Sequence, residues 1–330
     1  MIASRLLRTG ILALAGFGAC LSMVEPALAA APFSTVQAPG FYRTMVGSFE
    51  VTVLSDGTVQ LPVADILSNA APGEVDKALS HSYLKSPLET SFNGFLINTG
   101  GKLVLVDTGA GHFFGPTLGN LVANLKAAGY QPEQVDEIYI THMHGDHIGG
   151  LIGTDGKAVF PNAIVRADKH EADYFLSKAN LDKAANDQEK GSFQAPQEAL
   201  APYVAAGHFK PIEADGELVP GVSSRAAYGH TPGHTIYVVQ SNGQKLLLIG
   251  DLMHVASVQF PDPAVTIKFD WNTKLAAQER KKLYAEAAKD GSLIGGAHLS
   301  FPALGRLRSS GKGYEWIPIN YSTVKPAAAK

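Results

Sequence analysis

The sequence predicts an α/β protein in which two β-sheets pack together with helices outside. Apolar strand-like runs come in two groups, each followed by helical segments, and that order suits two covered sheets. The 330 residues, 45% of them hydrophobic, are ample for a large buried core. No repeat or heptad competes with this pattern, and the only biased tract is the Ala/Lys tail after Pro326.

Residues 1–29 read as a targeting segment rather than fold. Arg5 and Arg8 make a positive start, Thr9 to Val24 an apolar stretch of small residues, and Ala27-Leu28-Ala29 an A-x-A cleavage site. The apolar stretch, about 16 residues, is short for a membrane span. Gly18-Ala19-Cys20 fits a lipidation signal only in part, because Phe17 stands where Leu is usual. Cleavage after Ala29 leaves a single domain, residues 30–330, without Cys20, the only cysteine. A cysteine-free chain suits the periplasm or the exterior, with no stable membrane association after cleavage.

Phe49 to Leu54 is strand-like, and Ser55-Asp56-Gly57 reads as a turn into Val59 to Val63. Phe92 to Asn98 and Leu103 to Val106 flank Thr99-Gly100-Gly101 as a hairpin. Leu118 to Ala128 reads as a helix stopped by Gly129. Glu137 to Thr141 and Ala163 to Arg166 read as strands, with a helix from Asp168 to Ser177. Asp182 to Gln194 is polar and reads as a mobile excursion before a helix over Pro196 to Ala206. Ser223 to Tyr228, Thr235 to Gln240 and Lys245 to Ile249 are strands, and Asn272 caps a helix from Thr273 to Lys289.

Composition excludes several functions. Lys and Arg number 27 against 30 Asp and Glu, and no basic block offers a footprint for nucleic acid. One cysteine makes neither an internal disulfide nor a Cys-rich zinc site. Eleven histidines against that cysteine mean that any metal is held by imidazole and carboxylate.

The chemistry concentrates in Thr141-His142-Met143-His144-Gly145-Asp146-His147, which follows an apolar strand. His142 and His144 point the same way if extended, and a turn after them lets Asp146 and His147 face a second position. One loop can thus feed two metal ions. Gly229-His230-Thr231-Pro232-Gly233-His234 is a tight turn between strands that can aim His234 inward. Leu247 to Asp251 ends an apolar strand with a carboxylate, whose burial without a cation is costly. Gly295-Gly296-Ala297-His298 again sets a histidine at a strand end.

With Asp107 in Val106-Asp107-Thr108-Gly109, this set resembles the metallo-β-lactamase superfamily, whose motifs occur here in order over most of the chain. The resemblance implies an αβ/βα sandwich of two mixed sheets with metals at the sheet edge. It implies His142, His144 and His234 on one metal, Asp146, His147 and His298 on the other, and Asp251 with a hydroxide between them. Asp107 would orient a ligand from behind, and His230 would stabilise its turn. The donor types suit two divalent ions per chain, zinc first, with manganese, iron or cobalt tolerated.

A narrower similarity is to the methyl parathion hydrolase group. It is carried by Gly40-Phe41-Tyr42-Arg43, Leu54 to Thr58, Pro87 to Ser91, Leu103 to Gly109, Asn124 to His144, Val255 to Phe260 apart from Ser257, and His298-Leu299-Ser300-Phe301-Pro302. It implies an exported, homodimeric hydrolase of the lactonase and phosphotriesterase kind, with Phe114, Phe175 and Phe193 walling the substrate pocket. The chain departs from that group at His254, Ile66, Ile267 and Phe269, all in or near the implied pocket. A histidine at 254 can hydrogen-bond a lactone carbonyl or protonate a leaving alkoxide, and it narrows a cavity for a bulky phosphotriester.

The expected reaction is therefore hydrolysis of a lactone or aryl ester by a metal-bridging hydroxide, with Asp251 and His254 as candidate catalytic residues and organophosphate triesters as side substrates. An organophosphate triesterase, a mono-iron sulfur dioxygenase and a metal-binding scaffold are the competing readings.

Overall fold

Period-two alternation along the strands decides the layering of the molecule. In the strand Leu88–Asn98, Phe95 and Ile97 face one core while Leu96 between them faces another. Likewise Val104 and Val106 face the first core, and Leu103 and Leu105 the second. Successive side chains of a strand point to opposite faces, so both faces of this sheet are covered.

The computed structural model describes residues 31, 33–35 and 37–323; the targeting segment 1–29 lies outside them. Contacts divide the chain into units Met1–Ala38 and Pro39–Lys330, and the sheets belong to the second. Its strands are β1 (Phe41–Val46), β2 (Phe49–Leu61), β3 (Leu67–Ser68), β4 (Leu88–Asn98), β5 (Leu103–Val106), β6 (Glu137–Tyr139), β7 (Ile164–Arg166), β8 (Gly216–Val219), β9 (Val222–Ala226), β10 (Thr235–Ser241), β11 (Gln244–Leu248), β12 (Thr266–Ile267), β13 (Leu293–Gly295), β14 (Leu304–Ser310) and β15 (Gly313–Pro318). One sheet has the order β1-β2-β4-β5-β6-β7 and the other β15-β14-β13-β11-β10-β9-β8, while β3 and β12 pair apart. The neighbours β5–β6, β6–β7 and β11–β13 are parallel. Antiparallel pairs such as β4–β5 and β10–β11 complete two mixed sheets, as the sequence predicts.

The sheets share one apolar layer, in which Val51, Val53, Phe95, Val104 and Tyr139 of the first pack with Ile236, Val239, Leu246 and Leu248 of the second. Leu121, Leu125, Phe160 and Tyr203 cover the outside of the first sheet. The helix Thr273–Asp290 contributes Leu283, Tyr284 and Ala287 against the second. Asn272 caps this helix as expected, its Oδ1 accepting the Leu275 N–H at 3.1 Å.

Three local expectations are corrected. Ser55-Asp56-Gly57 is a β-bulge inside one long strand, not a turn between two. The bulge lets Asp56, fully buried, accept the N–H groups of Ala110, Gly119 and Leu121 at 2.9–3.1 Å. Those bonds also delay the next helix, which spans Leu121–Ala127 rather than starting at Leu118. Gly109 is required beside them: its φ is +76°, and a Cβ would sit 2.4 Å from Asp56 Cγ. Third, the polar segment before Pro196 is mostly helix. Asn186 caps a helix over Asp187–Ala205, so Asp187 to Gln194 forms its first two turns.

Strand direction positions the site. Asp107 follows β5, Thr141 to His147 follow β6, Asp251 follows β11 and His298 follows β13. All lie beyond carboxyl ends of parallel-paired strands, where α/β sheets open a crevice.

Candidate metal centre

Two donor groups converge at this edge. His142, His144, His230 and Asp251 form one, and Asp146, His147, His298 and Asp251 the other. In the first, His144 Nδ1 lies 3.0 Å from His142 Nε2 and 3.1 Å from His230 Nε2. Asp251 Oδ2 is 3.6 Å from His142 Nε2 and 3.4 Å from His230 Nε2. In the second, His147 Nε2 is 3.3 Å from Asp146 Oδ2 and 3.2 Å from Asp251 Oδ1, and His298 Nε2 is 3.4 Å from Asp146 Oδ2 and 3.2 Å from Asp251 Oδ2. The Asp251 carboxylate belongs to both groups.

The residues fit divalent cations. Tetrahedral zinc with nitrogen donors at about 2.0–2.1 Å sets its ligand atoms roughly 3.3 Å apart, close to the spacings here. His147 Nε2 and Asp251 Oδ1 are buried and make no hydrogen bond among the described residues. They lie 3.2 Å apart.

The charge balance points the same way. Burial drives His142 well below its ordinary pKa and His144 to about 3, which leaves neutral imidazoles ready to ligate. In the second group burial again opposes the charged ring but loses. Asp251, Asp146 and Asp107 hold His147 well above its ordinary value, and Asp251 and Asp146 raise His298 to about 10. Desolvation of Asp251 and Asp146 is likewise outweighed by the facing imidazoles, and both stay well below the usual carboxylate range. Buried Asp251 and half-buried Asp146 thus demand positive charge at one place.

Behind the donors, Asp107 Oδ2 lies 2.9 Å from His147 Nδ1, and its two oxygens accept the Thr141 N–H and hydroxyl at 2.8 Å each. With Nδ1 so engaged, His147 turns Nε2 into the site.

The turn before β10 brings both its imidazoles up to Asp251. His230, expected to steady the turn, directs Nε2 into the first group and pairs Nδ1 with Asp270 Oδ1 at 2.8 Å. His234, expected to ligate, accepts the Asp251 backbone N–H on Nε2 at 3.0 Å. Asp270, from a distant segment and with its side chain fully enclosed, holds the His230 ring. Trp271 N–H also donates to the His230 carbonyl at 2.8 Å, which fixes the backbone there.

His254 Nε2 lies 3.1 Å from Asp251 Oδ2, and its ring stacks on His298 at 5.1 Å. Its backbone N–H is held by Gln259 Oε1 at 2.8 Å, which leaves the ring free to face the carboxylate. Of the residues expected at the pocket, Phe175 meets His144 edge-on at 6.0 Å, and half-exposed Phe269 lies 6.4 Å from His254. Phe114 is 54% exposed and its ring covers Gly145, next to Asp146. Phe193 packs behind Phe175 at 5.7 Å, one ring further from the donors, in the helix-side core. Ile267 is fully buried with partly buried Ile66 in the small core around β3 and β12. The β3–β12 pairing turns Ile267 into that core.

Sequence reasoning missed Asp270 and Glu171. Glu171 is fully buried and accepts the Met143 N–H on Oε1 at 2.8 Å and the Gly233 N–H on Oε2 at 2.7 Å. Burial pushes its carboxyl up to about 7. A lone acid in a short helix carries no spacing signal; only its buried surroundings reveal it.

The metallo-beta-lactamase superfamily model matches residues 92–290, more than half of the chain. Among solved structures, the chain is similar to the hydrolase AbOPH of the beta lactamase superfamily, with TM-score 0.82, 37% identity, and 87% of this chain and 100% of that one covered. It is also similar to AidC, a dizinc quorum-quenching lactonase in complex with a homoserine product, with TM-score 0.78, 28% identity, and 86% and 99% covered. The N-acyl homoserine lactonase of Bacillus cereus is 27% identical over 162 residues, 49% of this chain and 56% of that protein. The chain spans about half the length of the sequence relatives it matches first. The family model, the strand-end donor groups and the mixed-sheet sandwich agree: the chain belongs to the metallo-beta-lactamase superfamily.

Proposed function

We propose that this chain is a binuclear metal-dependent hydrolase that opens lactones and aryl esters, with phosphotriesters as weaker side substrates. The observation that carries the reading is the Asp251 carboxylate, shared by two groups of imidazole and carboxylate donors. His142, His144 and an imidazole of the 229–234 turn would hold one divalent ion, and Asp146, His147 and His298 the other. Zinc suits these donors first, with manganese, iron and cobalt compatible. Such ions supply Lewis acidity and a water of lowered pKa.

The chain's own groups do the rest. Asp251 holds both positions in register and offers Oδ2 to a proton. His254 Nε2, 3.1 Å from that oxygen, can pass a proton to a leaving alkoxide. Phe114, Phe175 and Phe269 line the approach with apolar surface that excludes water and holds an acyl or aryl group. A lactone is favoured over a phosphotriester because the His254 ring narrows the space beside Asp251. AidC and the Bacillus enzyme, named as lactonases, support the same substrate class.

The test is a panel of an aryl lactone, a long-chain N-acyl homoserine lactone and a dimethyl phosphotriester on protein of measured metal content. The lactones should lead in kcat/KM. A tenfold lead of the phosphotriester, ~1.4 kcal/mol at the transition state, reverses the ranking. One metal per chain instead of two returns the mono-iron dioxygenase, and an inert loaded protein returns the scaffold.

Export with removal of residues 1–29 and assembly as a homodimer belong to the same proposal. Mass spectrometry of the periplasmic protein and its sedimentation test them. Among the described residues no helix is long and apolar enough to cross a membrane.

A further inference from the structure

We propose that Glu171 is a positioning residue that locks together the two loops supplying the first metal group. Its carboxylate holds one backbone N–H of each loop. Oε1 takes the N–H of Met143, which stands between His142 and His144. Oε2 takes the N–H of Gly233, in the turn that carries His230 and His234. The Thr235 N–H bonded to the Thr141 carbonyl at 2.8 Å ties the roots of the two segments, and the clip fixes the stretches beyond that root, where the imidazoles sit.

The helix that presents Glu171, Lys169–Phe175, is itself anchored. Asp168 caps it, its Oδ1 accepting the His170 N–H at 2.7 Å, and Lys169 N–H donates to the Ile212 carbonyl at 2.8 Å. Glu171 and Phe175 lie one turn apart and so share a face, and Phe175 packs edge-on against His144. One helix face therefore sets the first group twice, by hydrogen bonds to the backbone and by contact with a ring. Gly233 is fitted closely to this helix: a Cβ there would meet Glu171 N at 2.4 Å and Glu171 Cβ at 2.8 Å. Burying a carboxylate is costly, and an apolar side chain would fill the volume at less cost. What it would not do is accept two N–H groups from two different loops.

The inference rests on the binuclear reading only in naming the first group. The experiment uses the full chain, stripped of metal and titrated with cobalt against a competing chelator, at a pH where Glu171 is ionised. Wild type, Glu171→Gln and Glu171→Asp are compared for stoichiometry, the affinity of each site, the ligand-field spectrum and the melting temperature of the metal-free chain. The Gln amide has one acceptor oxygen and sets an NH2 donor against the second backbone N–H. It should lower the affinity of the first cation by about 10- to 100-fold, the scale of lost outer-shell contacts, and change its ligand-field bands. The second cation should bind as in wild type.

Glu171→Asp keeps the charge but falls short of one loop, and should lie between wild type and Gln. Reduced metal-free stability with both cations bound as in wild type would make Glu171 a structural residue only and overturn the proposal. If Glu171→Gln does not fold, Glu171→Asp decides, and wild-type affinity for the first cation in that variant overturns it. Should wild type bind a single cation, the binuclear reading fails. The clip is then judged by whether the variants weaken that cation.

Discussion

The Asp107 carboxylate holds the His147 ring from behind, with Oδ2 2.9 Å from Nδ1, while the opposite ring nitrogen turns toward Asp146 and Asp251. Asp107 itself adopts φ +57°, unusual for a non-glycine residue, in a conformation held by its bonds to Thr141. Replacing Asp107 with Ala should weaken the second cation about 10- to 100-fold, or about 1.4–2.7 kcal/mol. Chelator competition reads this directly, and unchanged affinity would show that His147 needs no orienting partner.

Asp251 touches both donor groups, so its loss should act on both cations. Asp251→Ala and His147→Ala are both expected to abolish turnover, but Asp251→Ala should deplete both sites in elemental analysis, whereas His147→Ala depletes the second. Full turnover by a metal-depleted preparation would sink the mechanism.

We propose that the two turn histidines divide one ligand role between them. Nε2 of His230 lies in the first group, and Nε2 of His234 accepts the Asp251 backbone N–H at 3.0 Å. Alanine at the ligand should cut the metal content to one per chain. Alanine at the supporting ring should leave two and weaken the first about 10- to 100-fold. We expect the loss of stoichiometry in one variant and not the other, and equal effects would contradict that division.

His254→Leu removes the ring beside Asp251 and should raise phosphotriesterase activity relative to lactonase. The ratio of the two kcat/KM values is the measurement, and an unchanged ratio would leave His254 with a structural role.

Metal stabilisation should grow with pH. In the metal-free chain His298 has a folded pKa raised to about 10 by Asp251 and Asp146 against its burial. The stability this contributes is complete below the unfolded value of about 6.5 and is lost as pH rises through about 10. Cations displace that proton, so their binding strengthens as pH rises. The increase in melting temperature on adding zinc should therefore be larger at about pH 9 than at about pH 6, and the opposite slope would count against the proton-for-metal exchange.

The family, the mixed two-sheet layering and the meeting of donors at strand ends were legible because each is written locally. Alternating apolar residues define strands, and Asp107, His142 to His147, Asp251 and His298 each follow one. Their chemistry then names the kind of ion. What the tertiary structure alone decided is how those donors are aimed. The His230 ring is engaged by Asp270, 40 residues on in the chain. Glu171 ties Met143 to Gly233, and Asp56 leaves its strand through a bulge to hold the loop after β5. Phe193, read as pocket wall, stands one ring behind Phe175. Each of these depends on a contact between segments distant in sequence, set by packing and by the need to satisfy buried polar groups, and no local period records it.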